Sequence, residues 1–217
     1  MMRAVSTVAA LAALATTWAC SKDSTGPGGG GGSALGSYYG VFGATNGSVS
    51  VGGTVVIVVT ATGATGTLTP TGLAGIALTG TYNSGTGAVG LAGGGHTLAG
   101  TITNNELDGT YAGSAGAGSF GTHKGASSTD VLLFCGTYDG ASTGVWNLAK
   151  TGNALVGAYA DDGGGSARLT GSLSGSAISI SFSGGTAAGS LVTASTMTGT
   201  WTAGANSGTW AGASPCP

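Results

Sequence analysis

Charge is what this chain has least of. Its 217 residues include five Lys and Arg and seven Asp and Glu, where about a quarter of a typical soluble domain is charged. Thr and Ser stand in their place. With no basic stripe to neutralise a run of phosphates, nucleic acid is excluded as a partner. Histidine is nearly absent too. His96 and His123 are the only two, neither at metal-ligand spacing from the other or from a cysteine, so both read as structural, one in a turn and one at a strand end. Helical periodicity is missing after residue 33. Without helices no Gly-x-Ser-x-Gly segment can form a nucleophile elbow; Gly113-Ser114-Ala115-Gly116 reads as loop.

Carboxylates suited to catalysis are also lacking. Glu106 and Asp108 alternate along one strand and share an outward face, whereas glycoside chemistry needs two carboxyl groups from different elements facing each other across a cleft. Asp130 and Asp139 have no obvious partner. Asp161-Asp162, followed by three glycines, lacks the further spaced carboxylates of a calcium loop and reads as a solvated hairpin turn. These absences predict a protein that is not an enzyme and uses no metal or cofactor.

What is there begins with an address. Arg3 precedes a short apolar run, Ala4 to Ala15, too short to span a bilayer, and the segment ends in Thr17-Trp18-Ala19-Cys20. A basic start, an apolar middle and a small residue before the cut are the marks of an export signal. Residues 1–19 resemble the signal of bacterial lipoproteins, departing from the usual box at Thr17 and Trp18. The resemblance implies that Cys20 becomes the first mature residue and is lipidated, anchoring the chain to a membrane, and Ser21 after it is compatible with sorting to the outer membrane. Two or more acyl chains on one cysteine give stable anchoring. The alternative is an ordinary secretory signal cut nearby. Residues 20–35 then form a tether, too rich in glycine to bury the apolar surface that would order it.

Setting Cys20 aside leaves Cys135 and Cys216, an even pair in an exported chain, which predicts a disulfide; two separate buried thiols are the alternative. Such a bond would close a loop of about eighty residues and contribute roughly 4 to 5 kcal/mol on the chain-entropy model.

The roughly 180 remaining residues suffice for one large or two small all-β domains. Strands show as period-2 alternations of about six residues bounded by Gly, Asn, Ser or Asp. Ile178, Ile180 and Phe182 face one side, and Ser179 and Ser181 the other. Turn signals recur at hairpin spacing: Asn83-Ser84-Gly85, Asn104-Asn105, Thr151-Gly152-Asn153, Asp161-Asp162-Gly163 and Ser183-Gly184-Gly185. One motif places an apolar residue, a glycine and a second apolar residue on one sheet face. It occurs as Leu78-x-Gly80-x-Tyr82, Leu98-x-Gly100-x-Ile102, Leu107-x-Gly109-x-Tyr111, Leu155-x-Gly157-x-Tyr159, Leu169-x-Gly171-x-Leu173 and Met197-x-Gly199-x-Trp201. An inward glycine lets a strand coil sharply and lets a neighbouring ring lie over bare backbone. Val55 to Val59 breaks the alternation, which predicts burial on both faces or cover by a loop or partner.

The chain also repeats itself. Gly109-Thr110-Tyr111 and Gly118-Ser119-Phe120-Gly121 match Gly199-Thr200-Trp201 and Gly208-Thr209-Trp210-Ala211 at an offset of 90. The prediction is an all-β, antiparallel up-and-down meander in two tandem duplicated barrel-like units of about eight short strands each, 36–125 and 129–217. One larger barrel or β-clam is the alternative. Short strands with apolar residues inward argue against a transmembrane barrel.

Tyr82, Tyr111, Trp146, Tyr159, Phe182, Trp201 and Trp210 recur at strand positions. They either fill the interiors or line a concave apolar cavity for a small ligand. The Gly-Thr-Tyr and Gly-Thr-Trp strand pairs resemble those of avidin-type and lipocalin-type barrels over a few residues per strand, and the likeness transfers no binding residue. The functional expectation is a lipid-anchored cell-envelope protein, non-catalytic, with a structural or binding role. The alternatives are a carrier of a small apolar ligand and a surface adhesion module engaging an envelope partner.

Overall fold

The computed structural model describes residues 33–114 and 116–217. Cys20, residues 1–19 and the tether up to residue 32 lie outside the described residues. The first eight strands are β1 (Gly36–Thr45), β2 (Ser50–Thr60), β3 (Gly63–Pro70), β4 (Ile76–Tyr82), β5 (Ala88–Gly93), β6 (His96–Thr103), β7 (Glu106–Gly113) and β8 (Gly116–Gly125). The second eight are β9 (Leu132–Gly140), β10 (Gly144–Thr151), β11 (Ala154–Asp161), β12 (Ser166–Ser174), β13 (Ala177–Phe182), β14 (Gly185–Thr193), β15 (Thr196–Ala203) and β16 (Asn206–Ala213). Among the described residues there is no helix.

Within each set of eight, every strand pairs antiparallel with its neighbours in sequence, and the set closes, β1 on β8 and β9 on β16. The chain is therefore two closed up-and-down barrels in tandem, and not one larger barrel. The turns carry the chemistry that tight hairpins demand. Asn104 and Asn105, for example, join β6 to β7 with φ of 51° and 67°, the paired left-handed conformation that asparagine tolerates better than other side chains.

The duplication extends to register. Gly109 pairs with Phe120 and Tyr111 with Gly118 in the first barrel; Gly199 pairs with Trp210 and Trp201 with Gly208 in the second. In each pair a large ring faces a residue with no side chain. A Cβ on Gly199 would lie 2.1 Å from the Ala188 carbonyl oxygen and 2.5 Å from the Trp210 ring, and one on Gly189, abreast of it, would meet the same ring. Trp146 covers Gly136 and Gly212 in the same way. The inward glycines thus set both the coiling of the strands and the seating of the rings.

Two features depart from the sequence expectation. Strands run from 6 residues in β5 to 11 in β2, longer than the alternation suggested, because the inward glycines continue strands that looked interrupted. Ten of the sixteen strands are still eight residues or fewer, short of what a transmembrane strand needs, and facing argues the same way: β7 points Glu106, Asp108 and Thr110 outward, and β13 points Ser179 and Ser181 outward. The run Val55 to Val59 is also not buried on both faces. Val55, Ile57 and Val59 point into the first barrel, while Val58 on the outer wall is 38% exposed.

The first barrel is packed solid. Tyr38, Phe42, Tyr111 and Phe120 lie at 0–1% exposure among leucines and valines, with the Phe42 and Tyr111 rings 4.9 Å apart. His96 caps this core: its Nδ1 lies 2.8 Å from the Tyr111 hydroxyl.

The barrels press wall to wall, β1 and β8 against β10 and β11. The outward residues Val156, Ala158 and Ala160 of β11 are fully buried there. Small residues allow the approach, since a Cβ on Gly121 would lie 2.7 Å from Val156 and one on Gly43 would lie 3.4 Å from the Ala158 methyl. Polar groups fix the docking. Asn147, buried on the wall of β10, donates from Nδ2 to the Phe42 carbonyl at 2.8 Å. Asp162 accepts from the backbone and hydroxyl of Ser50 at 2.9 and 2.6 Å and from the Thr143 hydroxyl at 2.9 Å. The turn read as solvated is in fact a clasp between the barrels, and these hydrogen bonds hold the Asp162 carboxyl below the usual carboxylate range.

Arg168 of β12 reaches across to the first barrel, its Nη2 3.1 Å from Glu106 and its Nε 3.0 Å from Asp108. That third charge, supplied by the other barrel, is why two carboxylates can share one outward face. Burial raises the pKa of both, opposed by Arg168. Asp130 and Asp139, without an obvious partner in the sequence, accept from the Ser127 backbone at 2.7 Å and the Thr209 hydroxyl at 2.6 Å. Cys135 on β9 and Cys216 beyond β16 form a disulfide across 81 residues of sequence, beside the seam that closes the second barrel.

Candidate functional site

The second barrel contains a cavity of about 290 Å³ at the end where β9 turns into β10, β11 into β12, β13 into β14 and β15 into β16. The opposite end is filled by Phe134, Leu148, Leu155, Leu173, Ile178 and Met197. Local sequence explains where space opens. Ile180, Ala187 and Trp201 lie abreast on three neighbouring strands, and Ala187 occupies a position where a large side chain would fill the interior. Ala203, nearer the rim, leaves a second gap.

The walls are aromatic. Phe182 contacts Tyr159 edge-on at 5.3 Å, Tyr159 contacts Tyr138 at 6.1 Å, and Tyr138 contacts Trp201 at 5.9 Å. Four rings from β13, β11, β9 and β15 thus make one arc. Trp146 and Trp210, deeper in, form a fourth contact at 5.1 Å. All three indole N–H groups are committed to the wall. Trp146 donates to the Thr137 carbonyl, Trp201 to that of Asp139 and Trp210 to that of Thr200, each at 3.0–3.1 Å. With the N–H groups used, the indoles offer the cavity apolar surface, while the hydrogen bonds fix the rings.

Polar groups sit only near the rim. Asp161 ends β11 inside the cavity, accepting from the Tyr138 hydroxyl at 3.1 Å and from the Gly163 backbone. Burial raises the pKa of both Tyr138 and Tyr159, and the neighbouring Asp161 pushes each further up, so both phenols keep their protons at neutral pH. Ser142 and Asn206 complete the rim.

Of the seven aromatic residues proposed from the sequence to line a cavity, Trp146, Tyr159, Phe182, Trp201 and Trp210 surround this one. Tyr111 is instead part of the solid core of the first barrel, and Tyr82 packs at its edge. Sequence reasoning missed Tyr138 and Asp161. Tyr138 carries a legible signal, because it precedes Asp139-Gly140 at a strand end and stands two residues after the inward Gly136. Asp161 carries one only in hindsight: it continues the inward alternation of Leu155, Gly157 and Tyr159.

His123 lies elsewhere, 2% exposed between the barrels with Nδ1 3.7 Å from Glu106. Its Nε2 has no hydrogen-bond partner, and backbone groups of Ala149 and Ala154 lie close to the ring. Among the described residues no three His, Cys, Asp or Glu side chains gather as metal ligands would. No protein-family model, no curated protein and no solved structure matches the chain.

Proposed function

We propose that this chain is a lipid-anchored binding protein of the cell envelope, non-catalytic, whose second barrel carries a small, largely apolar molecule. The observation that carries the reading is the contrast between the two duplicated barrels. One is filled to the core, and the other keeps an aromatic cavity of about 290 Å³. That volume is near the lower end of ligand sites, and about twice the ~150 Å³ at which an apolar cavity takes up benzene, so the occupant would be a one- or two-ring compound or its aliphatic equivalent. Asp161 is the only carboxylate lining the cavity; paired acid and base chemistry would need a second one facing it. The signal-like start, Cys20 and the glycine tether support anchoring to a membrane, with the barrels displayed away from it.

Three of the chain's four tryptophans line the cavity, so intrinsic fluorescence is a direct probe of occupancy. Native mass spectrometry of protein extracted gently from its own membrane should show an added small-molecule mass. Removing that molecule should change the tryptophan emission, and adding it back should restore it. Protein that is bare in every preparation, with fluorescence indifferent to small apolar compounds, would remove the reading. Intact mass of the same material tests the anchor: cleavage before Cys20 with added acyl chains is the expected result.

A further inference from the structure

The cavity has a sign as well as a shape. Among the residues that line it, Asp161 is the only charged one, and no Lys, Arg or His pairs with it among the described residues. Its oxygens accept from a phenol and a backbone N–H, both neutral donors, so the negative charge inside an aromatic enclosure is left uncompensated. Around it stand Tyr138, Tyr159, Phe182 and Trp201, whose ring contacts are edge to face. These four rings line the cavity together with Asp161, and a π-face attracts a cation.

A second observation comes from the distribution of charge over the whole barrel. Three of its four carboxylates, Asp139 at the end of β9, Asp161 at the end of β11 and Asp162 in the following turn, stand at the cavity end; the fourth, Asp130, precedes β9 at the opposite end. Its two basic residues are placed away from the cavity: Lys150 is next to last on β10, at the opposite end, and Arg168 is held on the outer wall by Glu106 and Asp108. In a chain with so few charges, three of one sign around one opening make a field that draws cations toward it.

We infer that the ligand is a small organic cation, an ammonium group on a hydrocarbon body, with the charged head held among Tyr138, Tyr159, Phe182 and Trp201 against Asp161 and the body in the apolar depth. The inference rests on the cavity being a ligand site and deepens that reading. It excludes carboxylates and phosphates as ligands, since Asp161 would repel them. Neutral hydrocarbons would fit the depth and leave the carboxylate unused.

The test compares phenyltrimethylammonium with its uncharged isostere tert-butylbenzene, both followed by tryptophan fluorescence of the purified chain. The cation should bind about ten-fold tighter or more, the scale of a desolvated cation–π contact joined to a carboxylate. In Asp161→Asn the cation should lose that advantage while tert-butylbenzene binds as before, and in Phe182→Leu the advantage should shrink with Asp161 intact. Equal or tighter binding of tert-butylbenzene by the unmodified chain would overturn the cation inference and leave the cavity reading standing. Binding of neither probe would count against the cavity reading itself. The wild-type comparison needs no variant to fold.

Discussion

At the scale of single residues, His123 shows how position sets chemistry. Buried between the barrels, it has its pKa lowered to about 4, chiefly by burial and against the pull of nearby backbone groups of Ala149 and Ala154. The unfolded chain takes up this proton near pH 6.5 and the folded chain only near 4. Across that interval the unfolded state binds more protons, so stability falls as pH drops from about 6.5 to 4, and below that this group adds no further loss. Glu106 and Asp108 act with the opposite sign. Their folded pKa values are raised, so falling pH through the carboxylate range favours the fold. His123→Gln removes the first effect and keeps the second. Its urea midpoint should hold or rise between about pH 7 and pH 4.5, where that of the unmodified chain falls; parallel losses would mean that His123 is not the group responsible. Arg168 gives a companion case. Arg168→Met keeps the stem but leaves two adjacent carboxylates unpaired, and because all three side chains are partly exposed the expected cost at neutral pH is only about 1–2 kcal/mol. That cost should shrink in acid as the carboxylates protonate, which denaturation at two pH values will show.

At the scale of the strand, the inward glycine is the feature on which the fold depends. Gly199 on β15 has the Ala188 carbonyl on one side and the Trp210 ring on the other, so an added methyl meets backbone that cannot swing away. Gly199→Ala should cost about 3 kcal/mol, the upper part of the range for overpacking, measured by equilibrium unfolding. Gly152, in the β10–β11 turn with φ of 52° and nothing near a Cβ, needs only the left-handed conformation, so Gly152→Asn should cost well under ~1 kcal/mol. This difference is also where sequence legibility begins and ends. Alternation, the Leu-x-Gly-x-Tyr motif and the 90-residue offset are properties of a strand and its immediate partner, and they made the eight-strand repeat readable. Whether a ring fills or lines is decided across the barrel. Tyr111 and Tyr159 occupy the same motif, yet one is packed against Phe42 and the other opens onto space left by small residues such as Ala187 and Ala203. The valine run misled for a related reason: β-branching favours a strand but says nothing about what covers its outer face, and Val58 is left exposed.

At the scale of the molecule, the contacts that join the barrels were the least visible in the sequence. Asn147 to Phe42 spans 105 residues and Asp162 to Ser50 spans 112, and the surfaces between are glycine and alanine indistinguishable in type from those elsewhere. Whether they couple the barrels shows in how the chain unfolds. The disulfide constrains only the second barrel, and its 81-residue loop corresponds to about 4–5 kcal/mol on the chain-entropy model. The three tryptophans of the two barrels also lie only in the second, whereas backbone circular dichroism reports on both. If the buried wall of Val156, Ala158 and Ala160 and the Asn147 and Asp162 hydrogen bonds couple the barrels, the two signals should follow one unfolding curve in the oxidised chain. In the Cys135→Ser/Cys216→Ser double variant both should shift together to lower denaturant. A fluorescence transition that moves alone, leaving half of the dichroism change at its original midpoint, would show that the barrels unfold independently and that the wall between them is a contact without cooperativity.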